Sequence, residues 1–531
     1  VGGGTYGTEN TTTENFKGKN VASTITVGGS AKIKSEKDVV LQGSEFTIAG
    51  DAEIDAKGDI KVLDGLDEER TTTRTETTSY LSVDSTSDAG SESKKDSETG
   101  RGSAATSAEA SAEAENGTEL NLSKTTVTES EKRSKVSVAS LLKTGGSLKA
   151  KAGNKLTLQG SDIDAGGDVD IDAKDIDILA GRNEEYEKTT STTTKVGVFI
   201  DSKASAKAEA QAQAKGMSAS GKANAEAGAE ADSVATLGVR RETSEETSDK
   251  LTHRKASIKS GGSTKLKAEN KITYQGAEID AAGDIIEDAK DIDSLAAVDH
   301  DISTSKSSKM TTGVYFDASA DANASAKAKS GPAGKGGKME AGANAEAGAG
   351  LRFAHESESS EEGSTSNVVN SFKAGRNIER KATGTIRDQG TELEAGGKIV
   401  VKANKLIEDE ISNKQWSKSS AESHDGRIGV YAGAGAEASS GAQNGVLGSD
   451  AGGSGEAKAS AGLKASYSYE GKSKEEGATQ AVTSRYKAGA GIELTVKEEI
   501  KLVGTKMEAG DGITIDAKSL DYQAAKNTTT Q

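Results

Sequence analysis

The chain of 531 residues has 3% aromatic side chains, 63 glycines, one proline and a formal net charge of −17. This charge argues against a nucleic-acid partner, which needs basic patches, and no apolar stretch is long enough to span a membrane. Only 33% of the residues are hydrophobic, which is low for a compact globule of this length. The composition therefore indicates either disorder or a repeat architecture that buries modest side chains by stacking.

Two further features concern the cellular context. Cysteine is absent, which suits a protein that crosses an oxidising periplasm unfolded, because no disulfide can trap it. Val1 is not an initiator methionine, and no signal peptide follows it. We therefore expect the chain to be a segment of a larger protein.

A long repeat is the main signal in the sequence. The motif that reads "LQGSDIDAGGDVDIDA" in the second copy recurs in five copies with one shared glycine. The spacings between successive shared glycines are 117, 116, 114 and 114 residues, and these glycines are Gly43, Gly160, Gly276, Gly390 and Gly504. Five copies in nearly constant register indicate a protein built by stacking equivalent units.

The first part of each copy has a shorter internal period. In the second copy, Gly146 and Gly167 begin two similar units 21 residues apart. Short alternating segments rich in Ile, Leu and Val are separated by Gly and Asn, as strands broken by tight turns would be. A short unit that buries its inward face only by stacking on a neighbour is typical of one coil of a parallel β-helix. The sequence therefore predicts an all-β fold, a parallel β-helix with two coils per copy.

The second part of each copy is an excursion in which alanine alternates with polar residues. In the second copy the outgoing Val196, Val198 and alanines 204–214 are even-numbered, whereas the returning alanines 223–231 are odd-numbered. Pairing as an antiparallel hairpin with an odd sum of residue numbers places all of them on one face, whereas a helix would scatter them. One such register sets Glu209 opposite Glu226, which we expect to be unfavourable.

The predicted hairpin tips contain the glycines that a tight reversal needs. They fall at residues 99–103, 215–221, 330–337 and 448–453. Pro332, the only proline, lies at a tip and not inside a strand, as ladder hydrogen bonding requires.

These patterns divide the chain into coils and hairpins. The coils are residues 27–64, 143–180, 259–296, 373–410 and 487–522. The hairpins are residues 65–142, 181–258, 297–372 and 411–486. Residues 1–26 are the return limb of a preceding hairpin, and residues 523–531 start a further one.

Geometry links the two parts of each copy. Two coils rise by two strand spacings, roughly 10 Å, and a hairpin stacked edge-on occupies the same height. Successive hairpins can therefore form one continuous sheet beside the β-helix. Each limb, on the order of 33 residues long, would reach roughly 100 Å, so we expect a fin-like antiparallel sheet.

The coils and the alanine-alternating insertions resemble the haemagglutinin repeats of filamentous-haemagglutinin-like exoproteins, over essentially the whole chain. That family includes bacterial adhesins and the stalks of contact-dependent growth inhibition proteins. The resemblance implies a Gram-negative bacterium, two-partner secretion through an outer-membrane transporter, and a rod-like β-helix at the cell surface.

Candidate chemistry is sparse. Asp168, Asp170 and Asp172 alternate onto one face and could bind Ca²⁺, although an exposed charged face that keeps the rod soluble is the simpler interpretation. Trp416, near the base of the fourth hairpin, is interpreted as packing where the arm leaves the rod rather than as a ligand platform. The histidines lack metal-ligand spacing and are interpreted as solvated residues at arm bases: His253, His300, His355 and His424. No catalytic residue, cofactor or metal site is predicted.

The alanine face is the predicted functional surface. Exposed to water, it would far exceed the apolar patch of ordinary monomers, so we expect it to be buried against the fin of a second chain. The predicted assembly residues are Ala206, Ala208, Ala210, Ala225, Ala227, Ala229, Ala320, Ala322, Ala343 and Ala345.

The expected function is a structural, non-enzymatic segment of a secreted fibre in adhesion or in cell–cell or biofilm assembly. Expected partners are the outer-membrane transporter, further copies of the chain and an unidentified host or bacterial receptor. Three alternatives stay open: a carbohydrate-active enzyme on a β-helix, a calcium-binding surface-layer-like matrix protein, and a disordered spacer rich in Ala, Gly and Ser.

Overall fold

A computed structural model describes residues 6–100, 103–215, 220–331, 334–445 and 448–530, and every regular element in these ranges is a β-strand. Two parallel sheets wrap into a coiled stalk, and one antiparallel sheet projects from it as a fin. The predicted parallel β-helix with hairpins stacked into a fin is confirmed. Pro332 and the central residues of the first three predicted tips lie outside the described ranges, and the domain limits stay predictions.

The stalk has ten coils, two per copy. One wall is a ten-stranded sheet with one strand from each coil: Thr24–Val27, Glu45–Ile48, Leu141–Thr144, Asp162–Ala165, Ala256–Ser260, Ala277–Ala281, Ser371–Ala374, Glu392–Ala395, Arg485–Ala488 and Lys506–Ala509. The remaining sides belong to a 15-stranded sheet: Ala31–Ser35, Val39–Gln42, Ala52–Ala56, Ile60–Leu63, Leu148–Ala152, Lys155–Gln159, Val169–Leu179, Thr264–Gln275, Ile285–Ala289, Asp291–Leu295, Ile378–Ala382, Thr385–Gln389, Ile399–Asp409, Gly491–Val503 and Gly512–Gln523. Equivalent residues of adjacent copies are two ladder steps apart, as the sequence predicts.

Alternate side chains of each strand point into the stalk and stack from coil to coil. One such inward row contains Ile54, Ala150, Ile171 and Leu266, all buried. These aliphatic rows form the core, so the stalk is stabilised by the contact of each coil with the coils before and after it.

Part of the interior of the third and fourth copies carries ionisable side chains beside the aliphatic rows. Arg380 is fully buried, and its guanidinium donates to Glu287 Oε2 at 2.7 Å and to Asp388 Oδ2 at 2.6 Å. Glu408 stacks on Asp388 in the next coil and accepts a hydrogen bond from the Tyr486 hydroxyl. Burial, together with the charge of Asp388, raises the pKa of Glu408 well above its usual value, which favours the neutral acid.

The shared glycine of each copy forms the corner between its two coils. All five have left-handed backbone, with φ between 51° and 65°, which only glycine adopts without strain. A Cβ at Gly160 would lie 2.6 Å from the Cα of Gly181, where the hairpin strand begins. The repeat therefore needs glycine here for its backbone conformation and for close packing beneath the hairpin.

The fin is a ten-stranded antiparallel sheet. Its strands in spatial order are Tyr6–Gly18, Gly65–Gly100, Ser103–Val138, Gly181–Lys215, Ser220–Arg254, Ala297–Gly331, Gly334–Val368, Ile411–Gly445, Gly448–Val482 and Thr528–Thr530. The central eight strands form hairpins 1 to 4, in chain order. The residue numbers paired within each hairpin add to an odd constant, as predicted.

Two details of the hairpins differ from expectation. In the fourth hairpin Gly445 pairs with Gly448, so the pairing is centred ahead of the predicted tip at 448–453, because the pairing of alanine with alanine sets the register rather than the glycine cluster. Glu209 does lie opposite Glu226, the arrangement expected to be unfavourable. Both side chains are exposed, so water and salt weaken their repulsion.

A side-chain oxygen ties each hairpin to the neighbouring one at its base. This oxygen accepts a hydrogen bond from a backbone N–H of the preceding limb, at the point where the two strands separate to join the stalk. The N–H no longer has a backbone partner in the sheet there, so the side chain satisfies it. The acceptors are Asp67, Asn183, Asp299, Asn413 and Asn527, and the donors are Asn20, Ser137, His253, Asn367 and Ala481, at distances from 2.7 to 2.8 Å.

Candidate assembly surface

Alanines from all four hairpins form a continuous surface on one face of the fin. Because strand side chains alternate, every second residue along each limb points to this face. One row across the sheet contains alanine in all eight hairpin strands: Ala89, Ala114, Ala204, Ala231, Ala320, Ala345, Ala434 and Ala459. We call this row and the three rows beyond it, which pass through Ala206, Ala208 and Ala210, the alanine field.

The alanine field contains all ten predicted assembly residues. Four of them share the row of Ala206, which are Ala206, Ala229, Ala322 and Ala343; the others lie in the three remaining rows. All ten are exposed in the single chain. The field also extends onto hairpins 1 and 4, from which the list of predicted assembly residues names none. Whether it mediates assembly stays a prediction.

The rows of methyl groups are separated by three parallel grooves. Each groove crosses the eight strands, and its floor is backbone whose side chains point to the opposite face. The grooves have volumes of about 1230, 1240 and 1000 Å³. The field is therefore a regular surface of ridges and grooves.

Larger apolar side chains continue this surface toward the stalk. One row on this face crosses the strands near the middle of their length. It contains Val83, Leu120, Val198, Leu237, Val314, Leu351 and Ile428. We call this row, together with the row through Phe316 and Val430, the apolar band. Ile428 is 70% exposed and Phe316 57%, so these large side chains also lack a covering layer within the chain.

The opposite face carries a belt of ion pairs at the level of the apolar band. Arg240 donates to Glu119 of hairpin 1 at 2.6 Å and to both oxygens of Asp201 at 3.0 Å. Arg352 bridges Asp201 at 2.9 Å and Asp425 of hairpin 4 at 3.0 Å. One network of charges therefore connects all four hairpins.

Burial and charge act in opposite directions on this belt. Burial raises the pKa of Asp201, but the guanidinium groups of Arg240 and Arg352 outweigh it, and the pKa lies below its usual value. Burial likewise lowers the pKa of Lys195, but its hydrogen bonds to Glu119 and Glu242 outweigh this effect and raise it. The belt is therefore charged at neutral pH.

A row of glycines lets the strands approach closely beneath the belt. A Cβ at Gly238 would lie 2.0 Å from the carbonyl oxygen of Thr312, and one at Gly313 would lie 2.3 Å from that of Leu237. Gly350 and Gly429 meet the same restriction. The sequence analysis missed the belt and this row. Both features do have a signal in the sequence: Gly, Arg and Asp recur at alternate positions, and their parity is opposite to that of the apolar residues.

The histidines are not all solvated residues at arm bases, as the sequence suggested. His253 is part-buried, with its backbone N–H and its Nδ1 both 2.8 Å from Asp299 Oδ1. His355 and His424 are cross-strand neighbours far from the stalk, with ring centroids 6.3 Å apart. His424 Nδ1 lies 2.7 Å from the Tyr467 hydroxyl.

The remaining candidates have structural partners. Trp416 lies between Gly363 and Gly477 on adjacent strands and donates from Nε1 to Glu361 at 2.7 Å, which agrees with a packing role. Asp168 Oδ1 accepts the backbone N–H of Ser263 at 2.7 Å.

Lysines of adjacent coils flank the other two aspartates of this group. Asp170 lies between Lys149 and Lys265, and Asp172 between Lys151 and Lys267. Throughout the part of the chain that the structure describes, no group of three or more His, Cys, Asp or Glu residues is arranged to hold a metal ion. Nor does any helix in those ranges have the length and apolarity to cross a membrane.

The coiled parallel stalk, with one antiparallel fin that is apolar on one face and charged on the other, defines a stacked all-β repeat protein. The chain belongs to the hemagglutinin repeat family, whose model matches residues 4–132, 123–236, 237–350, 351–462 and 463–531. The expected membership among filamentous-haemagglutinin-like exoproteins is thereby confirmed.

Individual relatives are distant. A hemolysin from Serratia marcescens is 24% identical over 412 residues, which are 74% of this chain and 22% of the hemolysin. The chain thus spans about a fifth of the length of that relative. Among solved structures, the translocation pore of the P pilus usher PapC covers 74% of this chain and 97% of its own, with 6% identity and a TM-score of 0.04, which supports no structural argument.

Proposed function

We propose that the chain is a structural segment of a large secreted fibre on the surface of a Gram-negative bacterium. It separates an adhesive or toxic tip from the cell, and its fins hold neighbouring fibres together in adhesion, cell–cell contact or biofilm. Export is by two-partner secretion through an outer-membrane transporter. The segment performs no catalysis.

One observation carries this proposal: five copies repeat in register through both the stalk and the fin, so each copy adds the same rise and the same surface. Such an arrangement suits a spacer whose length is set by the number of copies. The charged clusters support a structural role. The Arg380 cluster is closed inside the stalk, and the belt residues pair with one another.

Removing one copy in register tests the spacer function. Deletion of residues 160–275 joins equivalent corners, so the full secreted protein keeps a continuous stalk and fin. We expect export and adhesion to persist and the fibre to shorten by roughly 10 Å, the height of two coils, as measured by electron microscopy of surface-labelled cells.

A matched control deletes residues 170–275, which breaks the coil register and should abolish the surface fibre. If the in-register deletion abolished adhesion while the fibre remained on the surface, this copy would contain a specific binding site. The spacer function would then be wrong.

A further inference from the structure

We infer that the alanine field binds a second copy of this chain, fin against fin, and that this association stops at two chains. The inference rests on the proposed lateral contact between fibres, and it specifies the partner and the stoichiometry. The uncovered alanine field is large. Four rows over eight strands, at about 4.8 Å between strands and 6.7 Å between rows, cover roughly 1,000 Å².

That area exceeds the apolar patches of roughly 300–600 Å² that monomers expose. It also exceeds the roughly 800 Å² that each partner contributes to a standard interface. The apolar band adds further area on the same face. The surface is therefore large enough for a stable pair without any other contact.

The shape of the field matches another copy of itself. Its ridges are rows of methyl groups two residues apart, and the grooves between them have the same period. A second fin shifted by one residue, about 3.4 Å along the strand, places its ridges in these grooves. Most positions of the field are alanine, with Ser91, Met339, Ser440 and Gly455 among the exceptions in its outer rows. Because alanine is small, two sheets can approach closely over most of the area, as in dry interdigitated sheet interfaces.

The two faces of the fin determine how many chains associate. The face opposite the field carries exposed Lys203, Lys207 and Glu209, which need water. Two fins packed field to field bury both apolar faces and leave both charged faces outside. An isologous contact of this kind uses the whole apolar surface of each chain, so it closes at a dimer. A lipid surface would cover only one fin, and it has no ridges for the grooves to fit.

A pair of substitutions one residue apart tests the contact. Ala322 lies within the field, whereas the neighbouring Asn323 points to the other face, and both are exposed. A322E should raise the dimer dissociation constant roughly 100-fold or more, because it buries an unpaired charge at the contact in each chain. N323E introduces the same charge on the charged face and should leave the dimer intact. Sedimentation equilibrium of the 54.2 kDa chain gives the masses, and circular dichroism checks the strands.

The absence of native cysteine permits a second measurement that does not disturb packing. A thiol introduced by A322C should react with a maleimide at least 10-fold more slowly at dimer concentrations than after dilution, whereas N323C should react at one rate throughout. Flotation with phosphatidylcholine vesicles tests a lipid surface as the alternative occupant of the alanine field.

Three outcomes overturn the inference. The first is a wild-type chain that stays monomeric at high concentration, whether or not it floats with vesicles. The second is a folded A322E chain that dimerises as well as N323E. The third is open growth beyond two chains. Each of them can occur while the in-register deletion still shortens the fibre, so failure of the pairing is distinguishable from failure of the spacer function.

Discussion

Arg352 and Asp201 are 151 positions apart in the chain and belong to different hairpins, yet Arg352 Nη1 donates to Asp201 Oδ2 at 2.9 Å. Arg240 donates to both oxygens of the same carboxylate. One anion thus serves two guanidinium groups that are almost completely buried. This carboxylate therefore adds an ionic link between hairpins 2 and 3 to the backbone ladder that already joins them.

We predict that D201N destabilises the fin by about 2–3 kcal/mol, because two guanidinium groups lose their shared anion where water solvates them poorly. Urea denaturation measures the loss, and hydrogen exchange should localise it to hairpins 2 and 3. D232N removes a charge from an exposed position on the same face and should change stability by less than about 0.5 kcal/mol. Equal effects of the two variants would show that the belt adds no stability.

The buried Glu408 predicts a pH dependence. Its pKa is raised in the folded chain by burial and by the charge of Asp388, so folding favours its protonated form. The corresponding stability is present below the ordinary value of 4.5 and is lost as pH rises through the folded pKa. Stability relative to E408Q should therefore fall as pH rises from about 5 to 8.

Urea midpoints over this pH range measure the difference, since glutamine keeps the shape of the neutral acid without titrating. The exposed Glu392 provides the control variant E392Q, whose midpoint should follow that of the wild type at every pH. Parallel curves for the wild type and E408Q would contradict the prediction.

The corner glycines predict a strong local sensitivity. In G160A, the methyl group meets the Cα of Gly181 and the backbone keeps a left-handed φ of +51°. We expect a loss of at least about 1–3 kcal/mol in the free energy of unfolding. G28A adds the same methyl group where no atom lies within 4 Å, and it should be nearly neutral. The prediction fails if calorimetry gives both variants the same melting temperature.

The single tryptophan offers a spectroscopic test of the sheet. A Cβ at Gly363 would lie 2.1 Å from Cζ2 of Trp416, whereas one at Gly477, on the other side, would meet only ordinary contacts. G363A should displace the indole, break its hydrogen bond to Glu361 and shift the fluorescence to longer wavelength. G477A should keep the wild-type spectrum. An unchanged spectrum for G363A would mean that the ring does not lie against this glycine.

Residue periodicity predicted which face each fin residue occupies, but not every partner across the sheet. The alternation of alanine from residue 204 to 214 determines one face, and the odd sum follows from the two limbs. Between hairpins 1 and 2, a one-residue register shift at Val196 and Gly197 aligns Ala204 with Ala114. No local sequence pattern predicts such a shift. The extension of the alanine field onto hairpin 1 depends on that bulge.

The Arg380 cluster was missed for a related reason. Its members come from four different coils, and Arg380 is 93 positions from Glu287. Charged residues at inward positions are visible in the sequence only once the exact phase of each coil is known. A single charge at that phase predicts strain; only the structure shows that one carboxylate partner of Arg380, Asp388, lies in the same coil and the other, Glu287, in the preceding coil.

The fin also changes how the molecule bears tension. Hydrogen bonds in both the stalk and the fin run along the common axis, so a pull on one end loads every ladder between successive copies. Between the second and third copies, the stalk pairs over residues 162–165 and 169–179, whereas the fin pairs residues 221–251 with residues 300–330. A break between these two copies would therefore have to peel open the long ladder of the fin as well as separate one coil from the next.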